Sequence, residues 1–123
     1  MKNDNLILNK TFDFAVRIVN LYKYVYDTKR EPILSSQILR SGTSIGANVH
    51  EAEKAQTLAD FYSKMSISLK EANETSYWLK LLYKTEYITE SEFVSLQQDL
   101  NEIIGILTAI CKSTQKKIKS TKK

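Results

Sequence analysis

Two long stretches of this sequence repeat apolar side chains at alternating steps of four and three residues, and that rhythm constrains the fold more than any other feature. Phe61, Met65, Ser68, Ala72, Thr75, Leu79 and Leu82 form one such series, and Phe93, Leu96, Leu100, Ile103, Leu107, Ile110 and Thr114 form the other. A 4,3 repeat keeps one stripe facing one way along an α-helix, so each series predicts a helix with a buried seam. Capping patterns precede both: Thr57 with Asp60, and Thr89 with Glu92, the latter a full capping box. With only three Gly and one Pro in 123 residues, the chain lacks the turn-forming residues that a sandwich or barrel requires.

Upstream the pattern is looser. From Asn9 to about Arg30, Phe12, Ala15, Val19, Tyr22 and Tyr26 recur at helical spacing, with Ile18 and Val25 beside them, which predicts a first helix ended by Pro32. Ser35 or Ser36 is the expected cap of a second helix running to about Gln56, with Ile38, Gly42, Ile45, Val49 and Ala52 along one side. The short connections predict an all-α, antiparallel up-down-up-down four-helix bundle. Its expected extent is residues 9–115, between a flexible N-terminus over 1–8 and a Lys-rich tail over 116–123.

Helix two holds the unusual residues. Gly42 and Gly46 each cost about 1 kcal/mol in a helix interior relative to alanine, so close approach of a neighbouring helix is the expected reason for them. Arg40, Ser44, Asn48 and Glu51 share a polar stripe, and on helix three Ile67, Glu71, Glu74 and Trp78 share another at i, i+4, i+7, i+11. Levelling the two helices from a turn near Thr57 places Gly42 by Ala72 and Arg40 by Glu74 or Glu71. The reading predicts a partly buried ion pair there, with Ser44 and Asn48 extending the stripe at a helix or subunit interface. Tyr62, Tyr77 and Trp78 lie off the helix-three seam, which predicts a homo-oligomer that covers them.

The charge is uneven. Six of the 18 Lys and Arg lie after Cys111 with no acidic residue among them, so the chain up to Cys111 holds 12 basic against 14 acidic groups. Lys112, Lys116, Lys119 and Lys123 form a stripe if the last helix continues, with Lys117 and Lys122 beside it. Such a stripe can meet phosphate or, in the plainer reading, solubilise a helix end.

The residue patterns that common catalytic sites require are missing, and the carboxylates Glu51, Glu71 and Glu74, which could bind Mg²⁺, read more simply as partners of an arginine. A di-iron bundle needs two Glu-x-x-His motifs, yet the only histidine is His50 and Ala47 stands three before it. A helical ribonuclease pairing Arg with His on one helix fails too, since Thr43, Ser44 and Ile45 occupy the positions five to seven before His50. No phosphate loop, metal cluster or nucleophile elbow appears, so a non-enzyme without cofactor or metal is expected. The lone Cys111 reads as a packed thiol and favours a reducing, cytoplasmic setting. Neither a signal peptide nor a membrane span is expected.

The run Ile38-Leu39-Arg40-Ser41-Gly42-Thr43-Ser44-Ile45-Gly46-Ala47-Asn48-Val49-His50-Glu51-Ala52 resembles the signature of the four-helix-bundle proteins related to the 23S ribosomal RNA intervening-sequence protein. The segment from Phe61 to Leu79 is similar to that family's second block. The resemblance carries a recurrent Arg, Ser, Asn and Glu onto Arg40, Ser44, Asn48 and Glu51. Through the family's likeness to the accessory protein of diversity-generating retroelements, a five-fold barrel of bundles, it implies a homopentamer and a link to RNA or DNA. A protein-only scaffold or adaptor is the alternative.

Overall fold

A computed structural model describes residues 2–121, as four helices: α1 Lys2–Asp27, α2 Pro32–Ala52, α3 Leu58–Lys84 and α4 Glu90–Thr121. Contacts between neighbours fix their directions. Lys10 meets Glu102 and Arg17 meets Asp99, so α4 descends as α1 rises. Ser68 donates to the Ile45 carbonyl and Thr75 bonds Ser41, which sets α3 against α2 in the same sense. Ser76 reaches Gln97 while Tyr83 reaches Glu90 across the α3–α4 turn. Each helix is antiparallel to the next, and α1 closes on α4.

The two 4,3 series are the seams of α3 and α4. Met65, Ser68, Ala72, Thr75, Leu79 and Leu82 are buried on α3, as are Leu96, Leu100, Ile103, Leu107, Ile110 and Thr114 on α4. Phe61 and Phe93 are half-buried at their outer ends, and Phe93 stacks on Tyr83 with ring centroids 4.7 Å apart. Both predicted caps form. Thr57 Oγ1 accepts from the Asp60 N–H at 3.0 Å. Thr89 and Glu92 exchange two bonds, at 2.8 and 3.2 Å, each satisfying an amide that the helix start leaves unpaired. At the other end of α3, Glu86 takes a positive φ of 68° while the Tyr87 N–H returns to the Leu82 carbonyl at 2.9 Å. This turn closes the helix and aims Ile88 into the core.

The first half of the chain departs from expectation in three ways. First, α1 begins at Lys2 rather than near Asn9, and its buried stripe is Ile7, Thr11, Phe14, Ile18, Leu21 and Val25. Phe12 and Tyr26, expected to face inward, are 68% and 45% exposed. The helix is apolar on two sides, and the inward one is disguised by Thr11, whose hydroxyl is satisfied by the Ile7 carbonyl at 2.7 Å. The first helix thus runs through residues 2–8, with Ile7 in the core.

Second, Pro32 opens α2 instead of merely ending α1. Proline suits the first helical position, where its missing N–H has no partner to lose. The Glu31 carboxylate caps the Leu34 N–H at 2.6 Å, whereas Ser35 is fully buried within the helix and Ser36 bonds back to the Pro32 carbonyl. Third, Gly42 faces α1, not Ala72: a Cβ there would lie 2.8 Å from two carbons of Ile18. At Gly46 it would lie 3.2 Å from the Thr11 carbonyl oxygen. Both glycines do admit a neighbouring helix, but that helix is α1.

At the C-terminal side α4 continues to Thr121, beyond the expected boundary at 115, with Ile118 half-buried one turn past Thr114.

Candidate functional site

On α2 and α3 the two polar stripes face each other across the helix interface. Arg40 donates to Glu71 at 3.2 Å through one terminal nitrogen and to Glu74 through the other. The same Glu74 oxygen accepts from Trp78 Nε1 at 2.9 Å, one helical turn away. Arg40 is half-exposed, while the Glu71 and Glu74 side chains are 14% and 33% exposed. The guanidinium therefore lies over two largely covered carboxylates whose charge it only partly balances. Beneath the cluster the interface is tied by hydroxyls, with Thr75 to Ser41 at 3.0 Å and Ser68 to the Ile45 carbonyl at 2.8 Å. Buried and paired, these bonds fix how α3 sits on α2.

Further along the stripe the side chains turn to their own helix. Ser44 donates to the Arg40 carbonyl at 2.6 Å and Asn48 to the Ser44 carbonyl at 2.8 Å. Glu51, exposed at the end of α2, reaches Lys64 on α3 at 3.4 Å. The stripe is thus continuous in space, but of its side chains only Arg40, Glu71, Glu74 and Trp78 form one connected cluster, to which Gln37 adds a 3.5 Å contact with the Arg40 guanidinium.

The basic residues form a second, separate region. Lys112, Lys116, Lys117 and Lys119 are exposed on the last turns of α4, the first, second and fourth on its outward side. They make no ion pair among the described residues, so their charge stays available to a partner. Lys122 and Lys123 lie outside the described residues. Cys111, next to this end, is buried against Ser66, and burial pushes its thiol pKa up, away from the reactive thiolate.

Sequence reasoning missed a groove. Between the outward sides of α1 and α2 runs a largely apolar hollow of about 580 Å³, lined by Leu8, Phe12, Ala15, Thr43, Ala47 and His50 among others. The available signal was the second apolar stripe of α1, taken for its core. The side chains expected to need cover on α3 divide: Tyr77 is 62% exposed, whereas Tyr62 and Trp78 are packed against the core. Among the described residues no three His, Cys, Asp or Glu side chains converge as metal ligands, and no helix is long and apolar enough to cross a membrane.

The family model of the 23S rRNA-intervening sequence protein matches residues 3–109. The chain belongs to that family. A crystal structure of a family relative agrees: a protein of unknown function from the S23 ribosomal protein family of Bacteroides thetaiotaomicron VPI-5482 is 55% identical. The similarity covers 89% of this chain and 98% of the other, with a TM-score of 0.88. No curated protein matches the chain. The family match spans the cluster on α2 and α3 and stops just before the basic turns of α4, which begin at Lys112.

Proposed function

We propose that this chain is a non-enzymatic, homo-oligomeric bundle that binds RNA or DNA through basic surface, with the C-terminal turns of α4 as its main contact. The observation that carries this reading is the continuation of α4 to Thr121, which holds Lys112, Lys116 and Lys119 on one exposed helical face instead of leaving them on an irregular tail. Lysines at three- and four-residue spacing have Cβ atoms about 5–6 Å apart on one helix face, a row of positive charge that can neutralise several phosphates. With no aromatic residue interleaved among these lysines, the contact is with backbone phosphate and not with stacked bases. The family description, which names an intervening sequence of 23S rRNA, supports nucleic acid as the ligand class.

Counterion release supplies the test. If four lysines each neutralise one phosphate, affinity for a labelled structured RNA falls by about 100-fold between roughly 50 and 200 mM salt. Lys112→Gln, Lys116→Gln and Lys119→Gln together flatten that slope by about three phosphates' worth while leaving the fold intact. Tight, salt-independent binding contradicts the proposal. Failure of both RNA and DNA to bind at low salt leaves the protein-only scaffold as the function.

A further inference from the structure

Arg17 reaches from α1 to α4, where it donates to Asp99 at 2.6 Å and to the Ser95 hydroxyl at 2.9 Å. From that contact toward the C-terminal end of α1, a hollow of about 350 Å³ opens between the two helices, within the roughly 300–1,000 Å³ of small-molecule sites. Its floor is apolar, made by Leu21 and Leu96, which are buried. Its walls carry Tyr24, 38% exposed, with the exposed Asn20 and Glu92. The Glu92 carboxylate uses Oε1 to cap the Thr89 N–H at 2.8 Å, which anchors the side chain and leaves Oε2 outside that cap. An aromatic ring, an apolar floor, an amide and an anchored acceptor in one small hollow are the groups that recognise a flat heterocycle with polar edges.

We infer that this hollow takes one base of a single strand, of the kind that bears an exocyclic amino group, cytosine or adenine. The inference rests on the nucleic-acid reading above and deepens it by adding a contact that reads base identity. Glu92 decides both orientation and class. A carboxylate repels phosphate from the hollow and accepts from an amino group, whereas the keto oxygen of uracil in the same place meets it acceptor to acceptor. Cations stand where the phosphates must then lie. Lys23, Lys29 and Arg30, on the last turns of α1 and the link after it, are exposed and make no ion pair among the described residues. They outnumber the acids of the same stretch, Asp27 and the capping Glu31. Lys29 Nζ sits 5.8 Å from the centre of the Tyr24 ring, so charge and stacking surface adjoin. Arg30 holds φ at 57°, the left-handed conformation in which glycine is the usual residue after a helix, so a cation occupies a position that glycine takes with less strain. This is the interleaving of aromatic and basic residues that the basic turns of α4 lack. Those turns begin at Lys112, about 24 Å from Leu96 along the helix, so the two contacts are separate.

Labelled single-stranded RNAs of about ten nucleotides, oligo(C), oligo(A) and oligo(U), test this by fluorescence anisotropy with the full chain. Cytosine and uracil are rings of one size that differ at the amino group in question, so their comparison isolates Glu92 from stacking. The expected result is that oligo(C) and oligo(A) bind about tenfold more tightly than oligo(U). Tyr24→Leu keeps apolar bulk but loses the stacking ring, and should weaken oligo(C) and oligo(A) by about tenfold with the slope against salt unchanged. Asn20→Ala, at an exposed position, repeats the measurement should Tyr24→Leu lose helical circular dichroism. Glu92→Gln retains a carbonyl for the cap yet offers an amide that also donates, so oligo(U) should rise to the level of oligo(C). A Glu92 that serves only the cap leaves that ratio unmoved. Equal affinity of wild type for the three strands, or variants that keep the wild-type preference, overturn the base site while the nucleic-acid reading stands on the lysines of α4. Failure of every strand to bind at low salt overturns that reading and the site with it.

Discussion

The contacts around α2 and the closure of α1 on α4 are built in different ways. Around α2 the helices touch through small side chains and hydroxyls: Gly42 against Ile18, Gly46 against the Thr11 backbone, Ser41 against Thr75, Ser68 against the Ile45 carbonyl. Where α1 closes on α4, large apolar side chains such as Phe14 and Ile103 are buried and long charged pairs bridge the rim, Lys10 to Glu102 at 2.7 Å and Arg17 to Asp99 at 2.6 Å. The first kind of contact needs small groups at particular places, hydrogen at the glycines and hydroxyls at the serines. The second depends on atoms being present and tolerates exchange. Specificity of packing therefore concentrates around α2, and α4 is free to serve as a regular strut whose outer turns carry charge.

The largest expected effect that sharpens this contrast is Gly42→Val. Its Cβ would stand 2.8 Å from two carbons of the fully buried Ile18, neither of them at the end of a flexible side chain. Overpacking of this kind costs about 2–3 kcal/mol, read as a lower denaturant midpoint at unchanged slope. Next comes Arg40→Ala, which leaves Glu71 and Glu74 facing each other without a counter-charge. The exposed guanidinium places the loss between the surface and buried limits, at about 1–2 kcal/mol, and the Trp78 fluorescence should shift as Glu74 moves. Gly105→Ala tests the opposite region. A Cβ there meets nothing within 4 Å, so the substitution should stabilise by about 1 kcal/mol through helix propensity alone. Smallest is Arg17→Ala, expected below about 1 kcal/mol because both partners are substantially exposed. Opposite signs for Gly42→Val and Gly105→Ala support the contrast; equal signs break it.

The same contrast explains what the sequence made legible. Seams of Leu, Ile and Met on α3 and α4 announce themselves by period, and the reciprocal Thr89–Glu92 cap by residue type. The Arg40 pairing was readable because charge and helix register together left few partners. On α1, period alone misled, since Phe12, Val16 and Tyr26 make an outward stripe as apolar as the inward one, and only tertiary packing decides between them. Aromatic bulk favoured the wrong face, and Thr11 hid the right one. For Gly42 the sequence shows that something approaches closely but not from which side, because a glycine carries no side chain to specify its neighbour. The groove depends on that same choice of face, so it became visible only with α1 correctly turned.

On the proposed reading, copies join through apolar surface and the basic end of α4 engages phosphate. Sedimentation equilibrium of the wild-type chain at micromolar concentration, run at roughly 50 and 500 mM salt, tests it most directly, because contacts built on apolar burial persist at salt that screens phosphate binding. The account predicts the same multiple of 14.2 kDa at both salt concentrations. A single 14.2 kDa species, or an assembly that dissociates as salt rises, contradicts it.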